Sequence, residues 1–288
     1  MNDIHPVRTE DTAPVVGHDI SQTLYDQVVE ILQKQQGFLL SGYKNLCIRR
    51  RLAARIRAAG FRSAETYVSC LAEDSSEQEI LLAALSVHVS HFFRNPSVFK
   101  ALERQILPDL VERKGREKAK LRIWSVGCAY GEEPYSLALL CQRAELKPPQ
   151  FSIIATDLSP EALKKARQGC FSEDRLNEVP MTMRQEYFVE SGQSFQLCER
   201  IREQVQFFRH DILADQPFYR AELILCRNLL IYFSRQQQQQ VLQKLAGALL
   251  PGGYLVLGRA ETMAASCRPL FNCVDPAERI YQRAVNGV

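Results

Sequence analysis

The 288-residue sequence has no run of about 20 apolar residues, which a membrane-spanning helix would need. It also has no charged-then-apolar leader at its N-terminus, so we expect an unprocessed cytoplasmic protein. No CxxC pair occurs, and the nine cysteines are scattered, mostly within apolar stretches. We therefore expect reduced thiols in the core rather than disulfides or a metal site.

The chain also has little net charge, +3 at pH 7, so its overall electrostatics do not favour nucleic acid as a partner. Positive charge is concentrated locally in "KNLCIRRRLAARIRAAGFR", residues 44–62. These basic side chains cannot all face inward with the apolar residues between them. The segment is either a solvated helix face or an electrostatic docking surface for an acidic partner.

The first part of the chain is predicted to be helical. Residues 1–20 are polar and without periodicity, which indicates a flexible tail. Residues 21–90 read as four short amphipathic helices forming an N-terminal domain, the last of them capped at Ser76. A linker helix follows over 91–120, and Pro108 should kink or end it.

The second part, residues 121–288, alternates strand patterns with helix patterns. This alternation predicts an α/β fold with a doubly wound, mostly parallel, Rossmann-like sheet and a closing antiparallel hairpin at its edge. It breaks at about 171–210, where extended segments predict a small antiparallel β-subdomain inserted in the main sheet.

The stretch "LRIWSVGCAYGEEPYSLALL" predicts a strand, a glycine-containing turn and a helix. Its spacing is G-x-x-x-G rather than the G-x-G-x-x-G of dinucleotide binding, and Glu132 and Glu133 would repel a phosphate. The next strand ends at Asp157, where a carboxylate can bind the hydroxyls of a ribose. A ribose, a positive charge and no phosphate describe S-adenosylmethionine. The alternative is that the two glutamates only complement the helix dipole.

Four stretches, in this order, resemble the chemoreceptor glutamate methyltransferases of the CheR type: "SVHVSHFFRNPSVF", "RIWSVGCAYGEEPYSLAL", "IIATDLSPEALKKARQG" and "LILCRNLLIYF". The resemblance spans roughly residues 37–283. It implies a helical N-terminal domain and an S-adenosylmethionine-dependent methyltransferase domain bearing a small β-subdomain. The implied activity is methyl transfer to glutamate side chains on the cytoplasmic helices of chemoreceptors, with S-adenosylhomocysteine as product.

The resemblance also implies functional residues. Arg94 and Tyr232 match positions at the reaction centre, and are the candidate catalytic residues. The implied cofactor contacts are Ser90, Arg94, Gly131, Glu132, Glu133, Asp157, Asp211, Ile212, Arg227 and Asn228. Two departures stand out: "GRAE" at 258–261 replaces a frequent G-x-S-E, and the turn in the β-subdomain is short. The short turn favours receptor binding that does not need a C-terminal tail peptide.

The basic segment suits a glutamate-rich receptor helix, with which the family's N-terminal domain is associated. The candidate partner-binding residues are Arg49, Arg50, Arg51, Arg55 and Arg57. His88 and His91 are three apart, but no further ligands accompany them convincingly, so no metal is expected. We also expect a monomer that neither binds nucleic acid nor inserts into a membrane.

Two other functions remain open from the residues. One is a methyltransferase of the same fold acting on nucleic acid or a small molecule, although the N-P-P-Y-type motif of amino-methylating enzymes is replaced by "CRNLLIY". The other is a non-catalytic adaptor that binds S-adenosylmethionine or its demethylated product as a sensor.

Overall fold

The computed structural model describes residues 20–36, 45–85, 90–117, 119–146, 150–217 and 220–285. The chain divides into two compact units, Met1–Leu85 and Ser86–Val288. The predicted tail therefore lies outside the described residues, apart from Ile20. The linker helix predicted over 91–120 belongs to the second unit instead of standing between two domains.

The first unit contains the four predicted helices: α1 (Gln22–Gln36), α2 (Asn45–Ala58), α3 (Ala64–Glu73) and α4 (Ser75–Leu85). Their apolar stripes form its core, where Val28, Leu32, Leu52, Ile56 and Leu71 are fully buried. The prediction of Ser76 as the cap of α4 is wrong. The helix begins one residue earlier, and the Asp74 carboxylate accepts the backbone N–H groups of Ser76 at 2.9 Å and Glu77 at 3.2 Å.

A buried ion pair joins α2 to α4. Arg55 Nε donates to Glu77 Oε1 at 2.8 Å, and the Tyr67 hydroxyl of α3 donates to the same oxygen at 2.7 Å. Burial raises the pKa of Glu77, but the hydrogen bonds from Arg55 and Tyr67 outweigh it and leave the pKa below its usual value. Arg55, predicted to contact a partner, therefore has its guanidinium bound inside the unit.

Replacing Glu77 with glutamine should destabilise the helical unit by about 3 kcal/mol, because Arg55 loses its charge partner in a largely buried site. Hydrogen exchange of the α3 and α4 amides in the full chain measures this loss. Because the pKa of Glu77 is lowered on folding, its stabilisation is present above the ordinary value of 4.5 and is lost as pH falls below it. The wild type and the variant should therefore converge in acid. Glu30→Gln, which removes an exposed pair with Lys34, should leave protection unchanged.

The second unit opens with one long helix in three parts: α5 (Pro96–Ala101), a π-helical turn (Leu102–Ile106) and α6 (Leu107–Glu117). Pro108 does not end it. The wider π turn, in which the N–H of Leu107 bonds the carbonyl of Leu102, lies directly before the proline. A widened turn accommodates the proline ring and the missing N–H without breaking the helix.

The rest of this unit confirms the predicted α/β fold. Its strands are β1 (Leu121–Val126), β2 (Phe151–Asp157), β3 (Cys170–Ser172), β4 (Phe188–Ser191), β5 (Ser194–Leu197), β6 (Val205–Arg209), β7 (Ala221–Cys226), β8 (Leu249–Leu257), β9 (Phe271–Asp275) and β10 (Ile280–Arg283). Its further helices are α7 (Glu132–Arg143), α8 (Pro160–Gln168), α9 (Met181–Tyr187), α10 (Glu199–Arg202) and α11 (Arg235–Ala248). The main sheet has the order β6-β2-β1-β7-β8-β10-β9. The first five of these are parallel, and the β9–β10 hairpin lies at the edge as predicted.

The predicted β-subdomain is a separate antiparallel sheet of order β3-β5-β4, with Gly192 in its hairpin turn at a φ of +62°. It is shorter than the predicted 171–210, since β6 pairs with β2 in the main sheet. Its Phe171, Leu176 and Leu197 are buried in the same apolar core as Ile123 and Leu225 of the main sheet.

Candidate active site

Three parallel strands end at one edge of the main sheet, at Val126 of β1, Asp157 of β2 and Cys226 of β7. The chain order reverses between β1 and β7, and such reversals place ligands at the carboxyl ends of the strands. A cleft at this edge is lined by Ser90, Arg94, Gly127, Ala129, Glu133, Arg227, Asn228 and Tyr232. All but Gly127 and Ala129 belong to the predicted site.

The backbone around this cleft is strained. Phe93, Asn95, Ala129 and Asn228 have φ values of 52°, 60°, 51° and 59°, in the left-handed region that non-glycine residues seldom adopt. Each such conformation costs on the order of 1–3 kcal/mol and persists only where surrounding contacts hold it. Functional sites are where such strain concentrates.

Arg227 supplies many of those contacts. Its side chain is 1% exposed, and its Nη1 lies 3.2 Å from Glu133 Oε2. Its Nη2 donates to the backbone oxygen of Arg94 at 2.7 Å and to Asn95 Oδ1 at 3.0 Å. The guanidinium also stands 5.5 Å from the centre of the Phe99 ring. Arg227 therefore joins the end of β7 to the segment that carries Arg94.

The two glutamates of the glycine turn have different surroundings. Gly131, at a φ of +96°, precedes α7, and a side chain there would meet the Tyr135 ring at 3.0 Å. Glu133 lines the cleft and also accepts from Ser125 Oγ at 2.8 Å. Glu132 points away from solvent, at 1% exposed, and is not among the cleft residues. Of the two glutamates, Glu133 is the one that lines this cleft, and which of them contacts the cofactor stays a prediction.

Asp157 shapes the turn after β1 from the neighbouring strand. Its Oδ2 accepts from the backbone N–H of Ala129 at 2.9 Å, and its Oδ1 accepts from the N–H of Ser159 at 2.9 Å. The carboxylate is half-buried and lies next to the cleft through its bond to Ala129.

Glu261, which sequence reasoning did not place in the site, holds the loop after β7. This 3% exposed carboxylate accepts backbone N–H groups from Gly258 at 2.5 Å, Asn228 at 3.0 Å and Leu230 at 2.7 Å. Burial raises the pKa of Glu261, and these N–H groups only partly oppose it. The "GRAE" stretch, which departs from the frequent G-x-S-E, thus supplies the carboxylate that anchors Asn228.

Comparison with known proteins identifies the family. Residues 88–279 match the S-adenosylmethionine-binding domain of the CheR methyltransferases, and residues 23–86 match their all-alpha domain. The chain belongs to the CheR methyltransferase family. This confirms the predicted family, the fold and S-adenosylmethionine as cofactor, and it makes the protein a methyltransferase.

Several relatives of this CheR-family protein are named chemotaxis protein methyltransferases. One from Listeria monocytogenes is 35% identical, covering 82% of this chain and 89% of the relative. One from Borreliella burgdorferi is 30% identical, covering 85% and 90%. A "chemotaxis protein methyltransferase 2" from Vibrio cholerae is 31% identical, covering 85% and 87%. A solved glycopeptide N-methyltransferase complexed with sinefungin is 16% identical, with 57% and 53% of the chains covered and a TM-score of 0.33, too low to add to the argument.

The cleft of the CheR-family protein has the donor set that S-adenosylmethionine requires. Arg94 and Glu133, one cationic and one anionic side chain, both line it. Asn228, Ser90 and Tyr232 add an amide and two hydroxyls. Both signs of charge face one cleft, as a zwitterionic ligand needs.

Asp211 and Ile212, predicted as cofactor contacts, form a compact loop after β6. Asp211 Oδ1 accepts the N–H groups of Leu213 at 2.8 Å and Ala214 at 3.3 Å, so that this oxygen is used by its own turn. Lys244 of α11 donates to the carbonyls of Ile212 at 3.2 Å and Leu213 at 2.6 Å. Neither predicted residue is among those that line the cleft.

The arginines of α2 divide into two groups. Arg49 Nη1 donates to the Ile20 carbonyl at 3.1 Å, and Arg51 Nη1 donates to the Leu85 carbonyl at 2.6 Å. With Arg55 in its ion pair, three of the five predicted partner-binding residues are bonded within their own unit. Arg50 and Arg57, two turns apart on α2, are exposed.

Two further findings concern only the described part of the chain. Among its residues, no three His, Cys, Asp or Glu side chains form a group that could hold a metal ion, and His88 lies outside it. None of its helices is long and apolar enough to cross a membrane.

Proposed function

We propose that this protein transfers the methyl group of S-adenosylmethionine to glutamate carboxylates on the cytoplasmic helices of a chemoreceptor. The observation that supports it most directly is the cleft itself, where Arg94 and Tyr232 stand beside Glu133 and Asn228 in a chain whose relatives are named chemotaxis protein methyltransferases. The products are a glutamate methyl ester and S-adenosylhomocysteine.

The acceptor needs no general base. A glutamate carboxylate is already ionised at neutral pH, because its pKa is about 4.3. S-adenosylmethionine, when bound, supplies an electrophilic methyl group on a positively charged sulfur. An acceptor oxygen forms the new bond to that carbon as the carbon–sulfur bond breaks, and the electron pair stays on the sulfur.

The protein's task is then to align the acceptor. Arg94 can hold a carboxylate through two parallel hydrogen bonds, and Tyr232 can donate a third from the opposite loop. Arg227 fixes the Arg94 backbone, so that its guanidinium starts from a defined position. Such alignment is worth up to about 7–11 kcal/mol in the most favourable cases.

Radiolabelled methyl transfer tests this proposal. The protein is incubated with methyl-labelled S-adenosylmethionine and membranes holding candidate receptors, and the labelled bands are treated with alkali. Label on receptor protein that is released by base supports the ester. Alkali-stable label on nucleic acid or on a small molecule would contradict the proposal and support a methyltransferase of the same fold that acts on that substrate. Cofactor binding without any transfer would support the adaptor.

We further propose that the exposed arginines of α2 dock on the acidic receptor helices. Arg50 and Arg57 are both exposed on α2, where a partner can reach them. We propose that the protein acts in the cytoplasm as a monomer, without nucleic acid as a partner and without inserting into the membrane. Esterification removes negative charge from the receptor, so that each methylated glutamate weakens the attraction.

Reversing both charges, Arg50→Glu with Arg57→Glu, should raise the KM for receptor by at least about tenfold, since two attractive contacts become repulsive. The KM of the variant should not depend on ionic strength more steeply than that of the wild type. The Kd for S-adenosylhomocysteine should not change. Methylation rates measured against receptor concentration at several ionic strengths give the receptor KM, and calorimetry gives the Kd for S-adenosylhomocysteine. Arg62→Glu, a charge change just beyond α2, serves as the control and should have a smaller effect. An unchanged receptor KM in the double variant would contradict the docking surface.

A further inference from the structure

The segment Ser90–Asn95 carries the proposed catalytic Arg94 but belongs to no helix or strand. It is bent by two left-handed residues, Phe93 and Asn95, and both ends of it approach the cleft. Ser136 of α7 accepts the N–H of Phe93 at 2.9 Å, and Arg227 bonds the far end. These contacts leave the near end, at Ser90 and Phe92, to be held by another element.

That element is the β-subdomain. The Phe92 ring is fully buried and packs edge-to-face on Phe171 of β3, at 4.8 Å between centroids, and on Phe188 of β4, at 5.3 Å. The backbone N–H of Phe92 donates to the carbonyl of Arg175 at 3.1 Å. The subdomain is therefore packed directly against the segment that carries Arg94.

The side chain of Arg175 extends this contact to two parts of the site. Its Nη1 donates to the carbonyl of Ser90, a residue that lines the cleft. The same nitrogen lies 3.5 Å from Oε1 of the buried Glu132, at the start of α7. The guanidinium also stands 6.0 Å from the centre of the Tyr130 ring in the glycine turn. One side chain of the subdomain thus contacts Ser90 of the cleft and also the residues that flank the cleft at the glycine turn and the start of α7.

We propose that Arg175 is a positioning residue for S-adenosylmethionine, holding the Ser90–Asn95 segment and the glycine turn at a fixed separation. The β-subdomain then has a part in building the cofactor site in addition to any part in receptor binding. Arg175 acts through Ser90 and Glu132 and does not itself line the cleft. The kinetic part of this proposal rests on the proposed function, whereas the binding part does not.

The test compares Arg175→Ala and Arg175→Lys with Arg200→Ala as the matched control. Arg200 is also a subdomain arginine with an ion pair, to Glu186 at 2.9 Å, and an aromatic neighbour, Tyr187, and neither of these two residues lines the cleft. We expect Arg175→Ala to raise the Kd for S-adenosylhomocysteine about tenfold, since a charged hydrogen bond that orders the site is lost. Arg175→Lys should recover part of this loss, because an ammonium reaches one of the two partners but not both.

Three measurements make the outcome decisive. Calorimetry gives the Kd, methylation assays give KM for each substrate, and the fluorescence of Trp124, the single tryptophan and fully buried in β1, reports unfolding of this unit. The proposal predicts higher Kd and KM for the cofactor, an unchanged KM for the acceptor and native fluorescence at the assay temperature. Equal Kd values in Arg175→Ala and Arg200→Ala would overturn it. So would a Kd that rises only under conditions where Trp124 fluorescence shows unfolding. If the wild-type protein failed to methylate receptors while Arg175→Ala still raised the Kd, the glutamate acceptor would be refuted and this inference would stand.

Discussion

Arg94→Ala should lower kcat for methyl transfer by about 10²-fold while the protein stays folded, because it removes the fixed cation that aligns the acceptor carboxylate. Arg94 lines the cleft, and Arg227 Nη2 donates to its backbone carbonyl at 2.7 Å. Truncating the side chain therefore leaves the segment's anchor intact. Single-turnover transfer with receptor in excess measures the chemical step apart from product release.

Two variants make this result specific. Arg94→Lys keeps the charge but cannot form two parallel bonds to a carboxylate, so its kcat should lie between those of wild type and Arg94→Ala. Arg259→Ala removes a nearby exposed arginine, which bonds Ser97 at 2.6 Å and pairs with Glu278, and should leave kcat unchanged. Wild-type turnover in Arg94→Ala would exclude a catalytic role for Arg94 and favour the adaptor hypothesis.

Sequence patterns predicted the fold well where local and tertiary preferences agree. Ser159 and Gly169 cap α8, and such caps can be read from a sequence because their chemistry is local. Pro108 did not end its helix, since a π turn, invisible in the residue pattern, makes room for it. The strand at Val205–Arg209 was assigned to the subdomain because a short β pattern does not reveal which sheet it joins.

The sequence predicts those site residues that follow the ends of the parallel strands. Those positions place Glu133, Arg227 and Asn228 at one edge, and the structure brings them together. The sequence does not show which of the adjacent Glu132 and Glu133 faces the cleft and which faces the core, because this depends on the orientation of α7. The roles of Glu261 and Arg175 depend on long-range contacts to backbone groups, which leave no side-chain motif in the sequence.

The arginines of α2 show the same limit in the first unit. A run of basic residues indicates an exposed face, yet Arg55 is bound to Glu77 and Arg49 and Arg51 bond backbone carbonyls. The sequence does not show that the Glu77 carboxylate and the Ile20 and Leu85 carbonyls lie within reach of these three arginines. Charge counting alone therefore overstates a docking surface.

Gly258→Ala should destabilise the second unit by about 3 kcal/mol, since the added carbon has no room. It would lie 2.7 Å from Glu261 Oε2 and 2.8 Å from the backbone nitrogen of Asn228. Moving either atom breaks the bonds by which Glu261 holds the loop after β7, so the Kd for S-adenosylhomocysteine should rise as well. Urea unfolding followed by Trp124 fluorescence measures the stability, and calorimetry measures the Kd.

A glycine-to-alanine substitution at a second position of the unit should raise its stability instead of lowering it. This control separates the effect of steric crowding at Gly258 from a general effect of replacing glycine. Gly247 is exposed on α11, and a side chain there would meet nothing within 4 Å. Gly247→Ala should therefore stabilise the unit by about 0.5–1 kcal/mol, because alanine loses less backbone entropy in a helix, and leave cofactor binding unchanged. If Gly258→Ala matched Gly247→Ala in both stability and Kd, Glu261 could not be the anchor of the Asn228 loop.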